Sequence, residues 1–166
     1  MPPRKQISKE KIISKSYELV RENGFENLTA RFLAKALNCS TQPIYMSFRD
    51  MNELKNVLAE QSVGFMLQYI EKYSEKNYSP LLSKILGYVQ FANEEKHLFQ
   101  LIFSSEIMSI DKTRKLTAQN DELELNMLVY AHGIIMMKSF GTLTLSLEQI
   151  RTMIINAYEC FQLKKQ

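Results

Sequence analysis

Residues 38–48 read NCSTQPIYMSF, and this stretch decides the fold. Ser40 suits the N-cap of a short helix. Pro43 then falls in the first turn, where backbone N–H groups have no intrahelical partner and proline costs little. At about 100° per residue, Ile44 and Phe48 point together into a core. Gln42, Met46 and Arg49 lie roughly opposite, with Thr41 and Tyr45 on the flanks. Such a stripe has the donors and the reach for base edges and phosphates in a major groove. Glutamine can pair bidentately with adenine, arginine can bind a phosphate, and methionine can pack on a thymine methyl. An ordinary solvated helix face rarely exposes a methionine beside a tyrosine.

Upstream, two further helices are expected. The first runs from about Ser8 to Glu22, with Ile13, Tyr17 and Val20 at helical spacing and Ile12 and Leu19 widening the stripe. Asn23-Gly24 ends it, glycine being the natural left-handed C-cap. Thr29 caps a second helix through Leu37, on which Leu33 and Leu37 share a face and Ala34 admits a close neighbour. Asn38 suits a turn with positive φ. Two short helices joined by a tight turn make a helix-turn-helix, whose second member is the candidate DNA reader.

The stretch from Ile13 to Leu54 resembles the N-terminal domain of TetR/AcrR-type transcriptional regulators. The resemblance is carried by Glu22-Asn23-Gly24-Phe25, Thr29, Leu33-Ala34, Asn38-Cys39-Ser40, Tyr45-Met46-Ser47-Phe48 and Leu54. Asn38 departs from the usual turn glycine. Met51 departs from a lysine that touches phosphate, a contact that Asn52, Lys55 or the helix N-terminus can replace. The resemblance implies that Thr29, Arg31, Thr41, Gln42, Tyr45 and Ser47 meet double-stranded DNA, with Tyr45 and Ser47 on phosphates. A basic arm with Arg4 and Lys5 adds electrostatic or minor-groove contacts. It also implies a homodimer whose two heads, spaced about 34–36 Å apart, read a near-palindromic operator.

Composition agrees with an all-α chain. Hydrophobic residues make up 45% of 166, with only 5 Gly and 4 Pro, so a core is affordable and helix breakers are rare. The net charge of +3 is unevenly spread: the first third is basic and the remainder mildly acidic, as an attached nucleic-acid-binding module requires. Cys39 and Cys160 are far apart and form no disulfide framework. Cys39 reads as a buried, valine-like core position. The N-terminus has no apolar segment like that of a signal peptide. The apolar run LVYAHGIIMM at 128–137 is too short for a bilayer about 30 Å thick. The expectation is a cytoplasmic protein with no membrane partner.

A DNA-binding domain is therefore expected over residues 1–53 and a helical effector-binding and dimerisation domain over 54–166. Helices are read at about 51–76, 80–93, 96–104, 121–140 and 146–163, and residues 105–119 are poorly periodic. Leu147, Ile150, Ile154, Ala157 and Phe161 form one stripe, Leu128 and Ile135 another. By the resemblance these pack as a four-helix bundle at the twofold axis; as plain periodicity they serve equally as monomer core. Phe65, Met66, Tyr69, Tyr88, Phe91, Phe99, Phe103, Met108, Met127, Tyr130, Met136, Met137 and Phe140 are adaptable apolar groups. Each alone reads more readily as core. The resemblance implies a small hydrophobic effector among them. Gly133 is read as permitting close helix approach, and His132 as a satisfied core or interface histidine. No nucleophile–base pair, metal-ligand spacing or glycine-rich phosphate loop is present, so neither enzyme activity nor a cofactor is expected. The reading is a one-component regulator acting as a repressor. Its rival is a ligand-independent DNA-binding or protein-interaction module of the same fold.

Overall fold

Among the residues that the computed structural model describes, 7–73, 75–104 and 122–163, every regular element is helical. Helix α1 spans Lys9–Asn23 and is followed by a 3-10 turn at Phe25–Asn27. Then come α2 (Ala30–Ala36), α3 (Gln42–Ser47), α4 (Met51–Lys72), α5 (Pro80–Glu94), α6 (Lys96–Ser104), α7 (Glu122–Ser139) and α8 (Leu147–Leu163). Arg4, Lys5, Met108 and the poorly periodic 105–119 lie outside the described residues. No described helix is long and apolar enough to cross a membrane.

Two compact units emerge: Met1–Val63 with His97–Ile107, and Gly64–Lys96 with Met108–Gln166. In the first, α1 packs on α2 and α3. Ser8 caps α1 by accepting from the Lys11 N–H at 3.3 Å. Gly24 ends it at φ 80, ψ 156, a positive-φ region that is almost exclusive to glycine and distinct from the left-handed helical cap expected. The buried stripe of α1 is Ile12, Ser16, Leu19 and Val20. Of the expected stripe, Ile12, Leu19 and Val20 are thus buried, whereas Ile13 and Tyr17 stand only half-buried. A serine enters the core because its hydroxyl donates to the Ile12 carbonyl at 2.7 Å and so leaves no unsatisfied group. Helix α6 is tied in at both ends: His97 Nδ1–H donates to the Arg21 carbonyl at 3.0 Å, and Lys55 Nζ donates to the Ser104 carbonyl at 3.3 Å.

In the second unit, α5, α7 and α8 pack on one another. Ser79, with Pro80 at the first helical position, caps α5. Ser146 and Gln149 form a reciprocal capping box at α8: the Ser146 N–H donates to Gln149 Oε1 at 2.8 Å, and the Gln149 N–H to Ser146 Oγ at 3.1 Å. Helix α4 stops at Lys72, one turn earlier than its pattern suggests. The following residues are drawn off by tertiary partners. Arg151 grips Glu75 with bonds of 2.8 and 2.9 Å, and donates to Tyr73 Oη at 3.1 Å. Burial opposes the Glu75 carboxylate, but bonds from Tyr73 and Arg151 prevail and hold its pKa below the usual range.

The interior of this unit takes up part of the two stripes read as dimer surface or monomer core. Leu128, Ile135, Ile150 and Ile154 are buried within the single chain, so its own core takes them up. Leu147, Ala157 and Phe161 are half-buried, and Phe161 packs edge-on against Tyr130 at 6.3 Å. The apolar residues that α7 does present to solvent are Leu125, Val129 and Met137, with Phe140 exposed just beyond its end. Leu125, Val129 and Met137 follow an i, i+4 progression that passes through the exposed Gly133. A Cβ added at Gly133 meets nothing within 4 Å, so no described helix of this chain makes the close approach expected there.

Candidate nucleic-acid interface

The turn before α3 is built by Asn38. Its φ of 57 is the one positive value outside glycine among the described residues. The Asn38 N–H donates to the Lys35 carbonyl at 3.1 Å and the Cys39 N–H to the Ala34 carbonyl at 3.0 Å. That pair of bonds is a Schellman motif, with asparagine where glycine usually sits. It satisfies the last carbonyls of α2 and redirects the chain. At the other end of α2, Thr29 Oγ1 accepts from the Phe32 N–H at 3.1 Å. The cap of α3 is Thr41, and Ser40, the expected cap, precedes it; no side chain bonds the helix start. Pro43 takes the second helical position, whose N–H needs no partner, so the helix tolerates the weak cap.

Ile44 and Phe48 are 1% and 2% exposed. Tyr45 is 54% and Met46 78% exposed, and Gln42 and Arg49 are also exposed. The segment from Gln42 to Arg49 thus carries a core-facing pair and an outward group. Thr41 and Ser47 stand half-buried on the flanks. Ser47 Oγ donates to the Pro43 carbonyl at 2.9 Å, leaving its lone pairs as acceptors rather than a free donor for phosphate. Arg31 is exposed on the first turn of α2. Cys39 is half-buried, less enclosed than a valine-like core position.

Two of the expected contacts have other partners. Lys55 donates to Ser104 and lies 5.3 Å from the Phe25 ring centroid, so its ammonium is held within the unit. The start of α4, a candidate phosphate site, is closed by carboxylates. Glu53 N–H donates to Asp50 Oδ1 at 2.9 Å, and Arg49 N–H donates to Glu53 Oε2 at 2.7 Å. The bond from the Glu53 N–H, then the Arg49 side chain, hold the Asp50 pKa below the usual range against partial burial. Asp-x-x-Glu spacing at residues 50–53 was the sequence signal for this capping arrangement. The Arg49 guanidinium reaches Asp50 at 3.2 Å but remains largely exposed.

The apolar groups read as an effector pocket divide between the units. Phe99 and Phe103 belong to the first, with ring centroids 4.6 Å apart. In the second, Phe65, Tyr69 and Phe91 form an edge-to-face cluster at 5.6–6.5 Å. Phe65 and Tyr69, with Gln68, Lys72 and Tyr73, line a surface concavity of about 270 Å³. Met66, Tyr88 and Met127 are buried, Tyr130 and Met136 half-buried, and Met137 and Phe140 face outward. Tyr88 Oη lies 2.7 Å from His132 Nδ1. Burial pushes the Tyr88 phenol up and the His132 imidazole down, so the phenol keeps its proton and donates to a neutral ring. His132 is thus bonded within its own unit.

Comparison with known proteins identifies the fold. A protein of unknown function from Rhodococcus sp. RHA1 superposes with a TM-score of 0.63 over 95% of this chain and 97% of its own, at 16% identity. TetR from Acinetobacter baumannii AYE superposes with a TM-score of 0.56 over 95% and 93%, again at 16% identity. Neither a protein-family model nor a curated protein matches the chain. The architecture is the all-α, TetR-type fold.

Proposed function

We propose that this chain is a one-component transcriptional regulator acting as a repressor. As a homodimer it binds a near-palindromic operator, one α3 entering each of two major grooves, and a small apolar effector releases it. The observation that carries this reading is the division of α3: Ile44 and Phe48 are buried while Gln42, Tyr45, Met46 and Arg49 are exposed, on a fold shared with TetR of A. baumannii. One such helix offers too few contacts for tight binding, and a second copy doubles them. The solvent-facing stripe of α7, with open space at Gly133, supports that second copy. The aromatic cluster and methionines support an apolar effector. Such a ligand weakens operator binding only by its differential affinity for the two conformations.

The test is a salt-dependent DNA shift assay, after sequencing the fragments that the purified protein retains. Gln42→Ala is expected to relax base preference and Tyr45→Phe to weaken binding on all sequences. Unchanged affinity and preference in both variants would remove the assignment of α3. Titrating apolar compounds against the retained fragment separates the regulator from a ligand-independent module, in which no compound releases DNA.

A further inference from the structure

Helix α1 begins where α3 ends. Lys9, its first residue, is exposed, and its ammonium stands 4.8 Å from the centroid of the Phe48 ring. Phe48 is the C-cap of α3, adjoining Ser47 and three residues beyond Tyr45. Contact between a cation and an aromatic face narrows the positions that a long, flexible side chain samples. The neighbouring Glu10 carboxylate is held chiefly by the backbone at the helix start and by Ser8, with a smaller attraction to Lys9. By contrast, Lys55 is bound to a carbonyl and Arg49 to a carboxylate.

We propose that Lys9 is a phosphate-binding residue of the DNA interface, placed at the C-terminal edge of α3 by the Phe48 ring. This rests on the reading of α3 as the helix that enters the major groove. A helix in that groove is flanked by two phosphate backbones, and the contacts at its edges fix register without reading bases. Lys9 supplies a charge at one such edge from a separate element, α1. Neutralising a phosphate releases counterions, so the contact has a signature that ordinary surface packing lacks.

The full-length chain is titrated with its retained DNA fragment and with an unrelated duplex across a salt series. Lys9→Gln is expected to weaken binding to both duplexes by the same factor. The slope of log affinity against log salt should become shallower by about 0.9 for each head, about 1.8 for a two-headed complex. Lys9→Arg should keep the wild-type slope, and thermal melting of Lys9→Gln should match wild type. An unchanged slope in Lys9→Gln overturns the proposal, as does a binding loss that tracks a fall in melting temperature. If Gln42→Ala alters base preference while Lys9→Gln changes nothing, the reading of α3 stands and Lys9 is only a cover for Phe48. If the wild type retains no duplex DNA at low salt, both fall together.

Discussion

Gly87 sets two ordinary rules against each other. It lies buried within α5, and by helix propensity alone Gly87→Ala stabilises by about 1 kcal/mol. A Cβ built there, however, lies 2.8 Å from Tyr73 Cβ, 2.9 Å from its Cγ and 3.0 Å from its Cδ1. The nearest atom is bonded to backbone and cannot swing aside like the end of a long side chain. Overpacking of this kind costs about 1–3 kcal/mol. Any shift of the ring also disturbs the bonds of Tyr73 to Glu75 and Arg151, and bonds to charged groups contribute about 1.5–3 kcal/mol. The clash wins, and Gly87→Ala is expected to lose about 1–3 kcal/mol net. Urea unfolding followed by far-ultraviolet circular dichroism measures it. Tyr73→Ala removes the ring but keeps the offending Cβ, so Tyr73→Gly should relieve Gly87→Ala more completely in a double-mutant cycle. A Gly87→Ala protein about 1 kcal/mol more stable than wild type would refute the steric reasoning.

Gly24→Ala should destabilise by about 1–3 kcal/mol because φ 80, ψ 156 is strained for any side chain, whereas Asn38→Gly, at φ 57, should be neutral or slightly stabilising; denaturation midpoints compare the two. His132 should make stability pH-dependent. Its folded pKa lies below the ordinary value of about 6.5, so the unfolded chain takes up the proton first and stability falls as pH drops through that value. His132→Gln should flatten that part of the urea midpoint against pH, and an unaltered profile counts against the part-buried Tyr88–His132 bond. The proposed dimer predicts that Val129→Asp, on the exposed stripe of α7, shifts the protein toward monomer in sedimentation velocity with little change in helix content. Persistence of the dimer would place the interface elsewhere.

What the sequence determined by itself is the local grammar of the first fifty residues. Thr29 as a cap, Asn38 as a positive-φ turn, Pro43 within a first turn, and Ile44 and Phe48 as an inward pair are legible because each depends on chemistry a few residues away. The structure retains all of them; only the cap of α3 moves by one residue. Tertiary structure alone decided which way the later helices turn. Helix α7 is apolar on nearly every side, so periodicity cannot choose between Leu128 with Ile135 and Leu125 with Val129; the packing of α5 and α8 makes that choice. The same holds for Lys55 turning to Ser104, and for Arg151 reaching Glu75 across 76 residues of chain. Hydrogen bonds and caps between near neighbours are written in sequence spacing. The face that a uniformly apolar helix buries, and the partner that a long charged side chain finds, depend on elements whose positions no local pattern encodes.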